Sequence, residues 1–373
     1  MSGEKKPWQL DLDEYVRQGE PSQARKAESW QTAIGLQQVD GLDVSDYLVD
    51  TAKLHVEGDI DMQDARRRIE SYYEERRERG IIEAETEEAD IVSQRIAELL
   101  GERAFQLSPA AWLGIHKRLF EGVFAQAGQL RGYNITKREW VLNGDTVTYA
   151  PYSELAQTLD YDFGREGDFS YIGLPVSEAV RHIAGFISGI WQIHPFCEGN
   201  TRSTAVLLIK YLRTLGFEAT NEPFESNSWY FRNALVRANY TNYETSVRAT
   251  MEPLIRFLEN VMMGTHHELR NRELHVDFPV AMAAKKPQSA MSSNPKCNSC
   301  TLDCTLGERV ILNELAQNPD LTQAVLANRL GVSVRTVKAR TVSLQEKGLL
   351  LRVGGKRSGH WEIPDVVRKE LGR

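Results

Sequence analysis

Ile193-His194-Pro195-Phe196-Cys197-Glu198-Gly199-Asn200-Thr201-Arg202-Ser203-Thr204 sits between two strongly apolar runs, 175–190 and 202–215, both spaced as helices. Pro195 and Gly199 break the pattern, which predicts a tight interhelical loop over 194–199 and a second helix starting near Asn200 or Thr201. A helix start leaves four backbone N–H groups without acceptors and carries roughly half a positive charge. Gly199 lets a ligand approach that backbone closely, so the loop and first turn read as a phosphate cradle. Arg202 in the first turn is unfavourable for the helix alone, and a bound polyanion would offset it. Glu198 is placed to hold Mg2+ bridging phosphate oxygens. His194 can be neutral near pH 7 and accept a proton from a hydroxyl attacking phosphorus. Taken singly, each has a plainer reading: His194-Pro195 ends a helix, Glu198 is solvated, and Arg202 pairs with a carboxylate. The concentration of all of them in twelve residues of an otherwise apolar helical pair favours chemistry.

Around this loop the chain has 373 residues, 41% of them hydrophobic and 26% charged, which is ordinary globular composition with room for two or three domains. The formal charge is −7, from 52 acidic and 45 basic residues. That argues against a non-specific nucleic-acid coat, though one basic module can ride on an acidic body. The start, Met1-Ser-Gly-Glu-Lys-Lys, lacks a secretory apolar stretch, and no run approaches 18 uncharged apolar residues. With three of four cysteines inside eight residues, a reducing cytoplasmic location without membrane contact is expected.

Four zones follow. Residues 1–85 are polar and helical, with too little apolar content to stand alone, so they should pack on something larger. Residues 86–270 hold the main apolar reservoir. Helical patterns recur at 91–100, 109–120, 175–190, 202–215, 228–239 and 246–262, and Ser108-Pro109 reads as an N-cap with proline at the first helical position. Only 139–149 reads as a hairpin, around Asn143-Gly144. Residues 271–304 form a Pro/Ala/Lys/Ser-rich linker with a cysteine cluster, and 305–373 a compact final module. The expected architecture is mainly α, a helical core with a small β-hairpin flap, followed by a winged helix-turn-helix domain.

His194 to Arg202 resembles the signature loop of the Fic (filamentation induced by cAMP) family, His-Pro-Phe-x-(Asp/Glu)-Gly-Asn-x-Arg, and the resemblance extends over about residues 85–265. It implies AMP transfer from ATP to a Ser, Thr or Tyr hydroxyl of a target protein. His194 would be the general base, Glu198 the Mg2+ ligand, and Asn200 and Arg202 phosphate ligands together with the backbone of Gly199 and Thr201. Thr201 stands where a second glycine is usual. Ala205 stands where a second arginine commonly clamps the terminal phosphates. The donor is therefore ATP or another phosphate-containing molecule. The resemblance also makes 139–149 a flap whose Thr146, Val147, Thr148 and Tyr149 pair with a target segment. It sets the helix carrying Asn227, Tyr230, Asn233 and Arg237 near base and ribose.

Lys53-Leu-His-Val-Glu57-Gly58 resembles the inhibitory (Ser/Thr)-x-x-x-Glu-(Gly/Asn) segment associated with such domains, with Lys53 at the Ser/Thr position. Glu57 then either engages Arg202 or is a helix-terminal glutamate before a capping glycine. Residues 321–340 read as helix, glycine turn and helix, with Ser333 an N-cap and Arg335, Thr336, Lys338 and Arg340 facing DNA, or a protein partner. Cys297, Cys300 and Cys304 have metal-like spacing, three thiolates of a Zn2+ site needing a fourth ligand, or are incidental. Two functions compete: an autoinhibited, Mg2+-dependent protein adenylyltransferase, with a homodimer among its arrangements, and a DNA-binding regulator whose core senses a nucleotide or transfers another phosphate-containing group.

Overall fold

Ser45, Asp61 and Ser108 each accept a hydrogen bond from the backbone amide three residues on, and so fix the starts of three helices. The computed structural model describes residues 7–81, 83–217, 222–278, 304–330, 332–353, 360–364 and 367–368. In chain order the helices are α1 (Pro7–Gln18), α2 (Pro21–Gly35), α3 (Asp46–Glu57), α4 (Met62–Glu78), α5 (Ala84–Gly101), α6 (Pro109–Phe120), α7 (Leu155–Gly167), α8 (Val176–Ile193), α9 (Asn200–Thr214), α10 (Glu222–Ala238) and α11 (Glu252–Met263). The final module adds α12 (Leu306–Gln317), α13 (Gln323–Arg329), α14 (Val334–Glu346) and strands β1 (Leu351–Val353) and β2 (His360–Glu362). The strands form a small antiparallel hairpin that pairs Arg352 with Trp361. The architecture is mainly helical with a winged-helix region at its C-terminal end.

Helix α9 is the axis of the core. Every residue from Asn200 to Leu212 is buried, the signature of a helix enclosed on all sides. Its two cations near the far end are not wasted: Lys210 Nζ donates to the carbonyls of Leu99 (2.8 Å) and Glu102 (2.9 Å), and Arg213 Nη1 to that of Leu100. They add donors to carbonyls at and just past the C-terminus of α5, where intrahelical partners run out. One apolar cluster runs from Leu12 to Leu274, so the N-terminal helices share their core with the central ones. Ile34 and Leu36 on one side and Val92 and Ile96 on the other belong to it, with α2 lying along α5. A second cluster, including Cys304, Leu312, Leu326, Val337 and Trp361, belongs to the final module.

The fold-back expected at 139–149 is present, with Asn143 and Gly144 at φ 56° and 84°. Its two arms meet through only two backbone bonds, Glu139 N–H to Asp145 O and Gly144 N–H to Glu139 O. A 3-10 turn, Trp140–Leu142, replaces the first strand. Val141 and Leu142 are both buried. Consecutive residues cannot face the core from a strand, whose side chains alternate, so core demand overrides the strand pattern here.

Candidate functional site

The loop between α8 and α9 begins with His194 at φ 51° and ψ 59°, a left-handed conformation uncommon outside glycine. Arg131 over-determines it. This buried guanidinium donates from Nε to His194 O (2.8 Å), from Nη1 to Tyr133 O (2.7 Å) and from Nη2 to Ala150 O (2.5 Å), while its own amide donates to Pro195 O (2.8 Å). His116 braces the other end. The Gly128 amide donates to its Nδ1 (2.9 Å), so Nε2 carries the proton and donates to Glu198 O (2.9 Å), with the ring stacked on Phe196 at 3.7 Å. Burial pulls the His116 pKa down to about 4, keeping it neutral. Gly199 sits at φ 72° against the Phe120 ring, which a Cβ would strike.

His194 is 3% exposed, its ring packed against Tyr149 and Trp191. Nδ1 lies 3.2 Å from Trp191 O, a group that only accepts, so Nδ1 holds the proton and Nε2 keeps a lone pair. Burial, then the nearby Lys137, hold its pKa well below the usual histidine range. It lines a small cavity with Glu198, Glu139, Lys137, Arg232 and Asp40, at the start of α9. Two ion pairs close the cavity: Lys137–Glu198 at 2.8 Å and Arg232–Glu139 at 3.0 Å. Its volume is about 20 Å³, enough for a water but not for a nucleotide.

Of the predicted residues His194, Glu198, Gly199, Asn200 and Thr201 line this cavity. Glu198 is exposed (61%), and among the described residues its carboxylate pairs with Lys137. Asn200 closes the loop on itself, accepting from Phe196 N–H (3.0 Å) and donating to Phe196 O (2.8 Å). Thr201 accepts from Trp191 Nε1 at 3.0 Å. Ala205 is fully buried. No side chain caps α9, so its first-turn amides beside Gly199 remain available. Arg202 is held as its plainer reading foresaw. Nη2 meets Glu88 at 2.6 Å, Nη1 meets Gln37 at 3.0 Å, and the Asp40 carboxylate lies 2.8 Å from Nε, out of line for a hydrogen bond. The guanidinium also rests over the Phe120 ring.

Glu57 does not reach Arg202. It lies at the surface and accepts from Tyr15 Oη, while Gly58, at φ 91°, caps α3. A second acid-glycine pair, Asp40-Gly41, stands at the arginine instead, closing a 3-10 turn over Leu36–Asp40. Tyr230 packs on Phe257, and Asn233 donates to Asn271 at 2.6 Å, so neither faces the cavity. A kink at Asn227 breaks the even face expected for that helix, and Arg232 is the residue of α10 that lines the site. In the flap Val147 and Tyr149 are buried, the half-buried Thr146 accepts from Lys137 N–H, and Thr148 alone of the four is exposed. Arg131, Lys137, Glu139 and Arg232 were missed because isolated charges in aperiodic or kinked segments leave no spacing signal.

Glu198 and Glu139 are hard oxygen donors, and Mg2+ uses one or two carboxylates with phosphate and water completing its shell. With the uncapped amides of α9 beside them, the residues fit a Mg2+–phosphate ligand chemically. Zinc finds no such support. Among the described residues no group of three or more His, Cys, Asp or Glu is placed to hold a metal ion, Cys304 is buried in the final module's core, and Cys297 and Cys300 lie outside the described residues. No described helix is long and apolar enough to cross a membrane.

In the final module Ser333 caps α14 as expected, accepting from Thr336 N–H, and its hydroxyl also engages Thr336 Oγ1 at 2.8 Å. Arg335 and Lys338 are exposed, whereas the half-buried Arg340 lies against Gly307 of α12.

Residues 106–212 match the Fic/DOC family, and residues 308–350 match the winged helix-turn-helix DNA-binding family. The chain thus carries a Fic/DOC domain and, separately, a winged-helix region. Similar solved structures include a Fic family protein from Desulfovibrio desulfuricans G20, at 10% identity over 98% of both chains and a TM-score of 0.42. Another is the N-terminal Fic domain of the Bep8 effector from Bartonella sp. 1-1C, at 17% identity over 46% of this chain and 81% of that one, TM-score 0.37. The N-terminal Fic domain of a Bep effector from Bartonella sp. AR 15-3 gives 16%, 48%, 81% and 0.39. No curated protein sequence matches the chain.

Proposed function

We propose that the chain is a protein adenylyltransferase held in a resting state, transferring AMP from ATP to a Ser, Thr or Tyr hydroxyl of a target protein. One observation carries the reading: a neutral His194 with its Nε2 lone pair free shares a cavity with Glu198 and the uncapped start of α9. The hydroxyl oxygen forms a bond to the α-phosphorus, the bond from that phosphorus to the bridging oxygen breaks, and pyrophosphate leaves. His194 Nε2 takes the hydroxyl proton. The α9 amides face the charge that develops on phosphate oxygens. Mg2+, when bound, neutralises phosphate charge, and Glu198 with Glu139 would hold it. Arg202 is withheld by Asp40, Glu88 and Gln37, so phosphate contact requires their release. On this reading the inhibitory acid-glycine pair is Asp40-Gly41 rather than Glu57-Gly58.

The closed cavity and the exposed Arg335 and Lys338 favour a second reading, a DNA-binding regulator whose core senses a nucleotide. Incubation with labelled ATP and Mg2+ separates the two. Label should appear on protein, increase in Asp40→Asn and vanish in His194→Ala. Absence of label from every variant, with nucleotide still bound, supports the sensor.

A further inference from the structure

Both cations that line the cavity are matched by a carboxylate, Lys137 by Glu198 and Arg232 by Glu139. The second pair is the deeper on its acidic side. Glu139 is 2% exposed, and Arg232 reaches it with Nη2 at 3.0 and 3.2 Å while Nη1 points to Val39 O at 3.4 Å. An entering phosphate that took Arg232 would strand Glu139, and a buried unpaired carboxylate is strongly unfavourable. A divalent cation arriving alone would strand Arg232 in the same way. Only a ligand bringing both signs at once leaves no charge orphaned.

We propose that Glu139 and Arg232 form an exchangeable pair of the nucleotide site, Arg232 turning to the donor's phosphates and Glu139 to the divalent cation, so that polyphosphate and metal enter together. This rests on the nucleotide-binding reading and adds Arg232, and its coupling to Glu139, to it. It also selects donors with at least two phosphates, since one phosphate held by the α9 amides leaves none for Arg232.

Exposed Trp140 (48%) follows Glu139, and Trp229 (39%) lies one turn before Arg232; their rings stack at 5.2 Å. Their emission therefore reports on the pair. The full chain is titrated with ATP and with AMP, with and without Mg2+, by tryptophan fluorescence and calorimetry. In the wild type Mg2+ should tighten ATP binding by about tenfold or more, the scale of a charge-assisted contact. Glu139→Gln frees Arg232, so metal-free ATP binds about tenfold tighter and most of the Mg2+ dependence disappears. Arg232→Gln weakens ATP by about tenfold and AMP much less. The neutral pair Glu139→Gln/Arg232→Gln leaves no orphaned charge and guards against misfolding of the single variants; it should bind ATP weakly, whether or not Mg2+ is present. Wild-type Mg2+ dependence persisting in Glu139→Gln, or wild-type ATP affinity in the double variant, overturns the pair and leaves the nucleotide reading standing. A wild-type protein that binds no nucleotide overturns both.

Discussion

The two flanks of the signature loop are held by opposite kinds of contact. At the back, Arg131 and His116 bind backbone: four carbonyls for the arginine's side chain, one carbonyl and one amide for the histidine. At the front, Arg202, Arg232 and Lys137 bind carboxylates. Backbone acceptors are fixed by the fold and have no competitor in solution. Carboxylates can be replaced by phosphate, which offers the same charge and more oxygens. The back flank thus sets the loop's shape, and the front flank sets when the loop can be used.

The contrast is open to attack at several points. Arg131→Met leaves the carbonyls of His194, Tyr133 and Ala150 without a donor and removes the restraint on a left-handed histidine. We expect a loss of about 3–5 kcal/mol in urea unfolding, and a loss below about 1 kcal/mol would remove the distinction between flanks.

His116 gives the next largest effect. Its folded pKa of about 4 lies below the ordinary 6.5, so its contribution is complete above pH 6.5 and lost as pH falls toward 4. The difference is on the order of 3 kcal/mol. His55, also lowered to about 4, acts in the same direction, while Asp90, raised to about 6 by burial, opposes them because its contribution is lost as pH rises. Unfolding measured across this range should fall less steeply in His116→Gln than in the wild type. Identical slopes would show that the histidine is not buried neutral.

The front flank predicts function rather than stability. Asp40→Asn should tighten ATP binding by about tenfold, or 1.4 kcal/mol, with little change in melting. Glu57→Gln should change neither ATP affinity nor labelling and shift stability by less than about 0.5 kcal/mol. Equal effects from the two variants would return inhibition to the Glu57-Gly58 segment.

These residues also mark where sequence stops being informative. Helices α8 and α9 and the loop between them were readable because Pro195 and Gly199 punctuate two apolar runs. Ser108-Pro109 and Ser333 were readable because capping is local. Asp40-Gly41 and Glu57-Gly58 are locally alike: both glycines adopt positive φ, at 73° and 91°, and both terminate a helical segment. Only packing against α9 tells them apart. Arg131 sits in an aperiodic segment, and its partners are carbonyls, which every residue possesses. Arg232 was hidden by regularity: an even face through Asn227, Tyr230 and Asn233 assumed a straight helix that the kink at Asn227 denies.

Helix α5 is lashed to α9 at both ends, by Glu88 on Arg202 and by Lys210 and Arg213 on its final carbonyls. It cannot slide without tearing three anchors, so Glu88 can leave Arg202 only by swinging about its own torsions. Asp40 and Gln37 ride together on one short turn and can depart as a unit. Whatever unlatches the arginine therefore has its handle on that turn, and the long helix behind it serves as the doorframe.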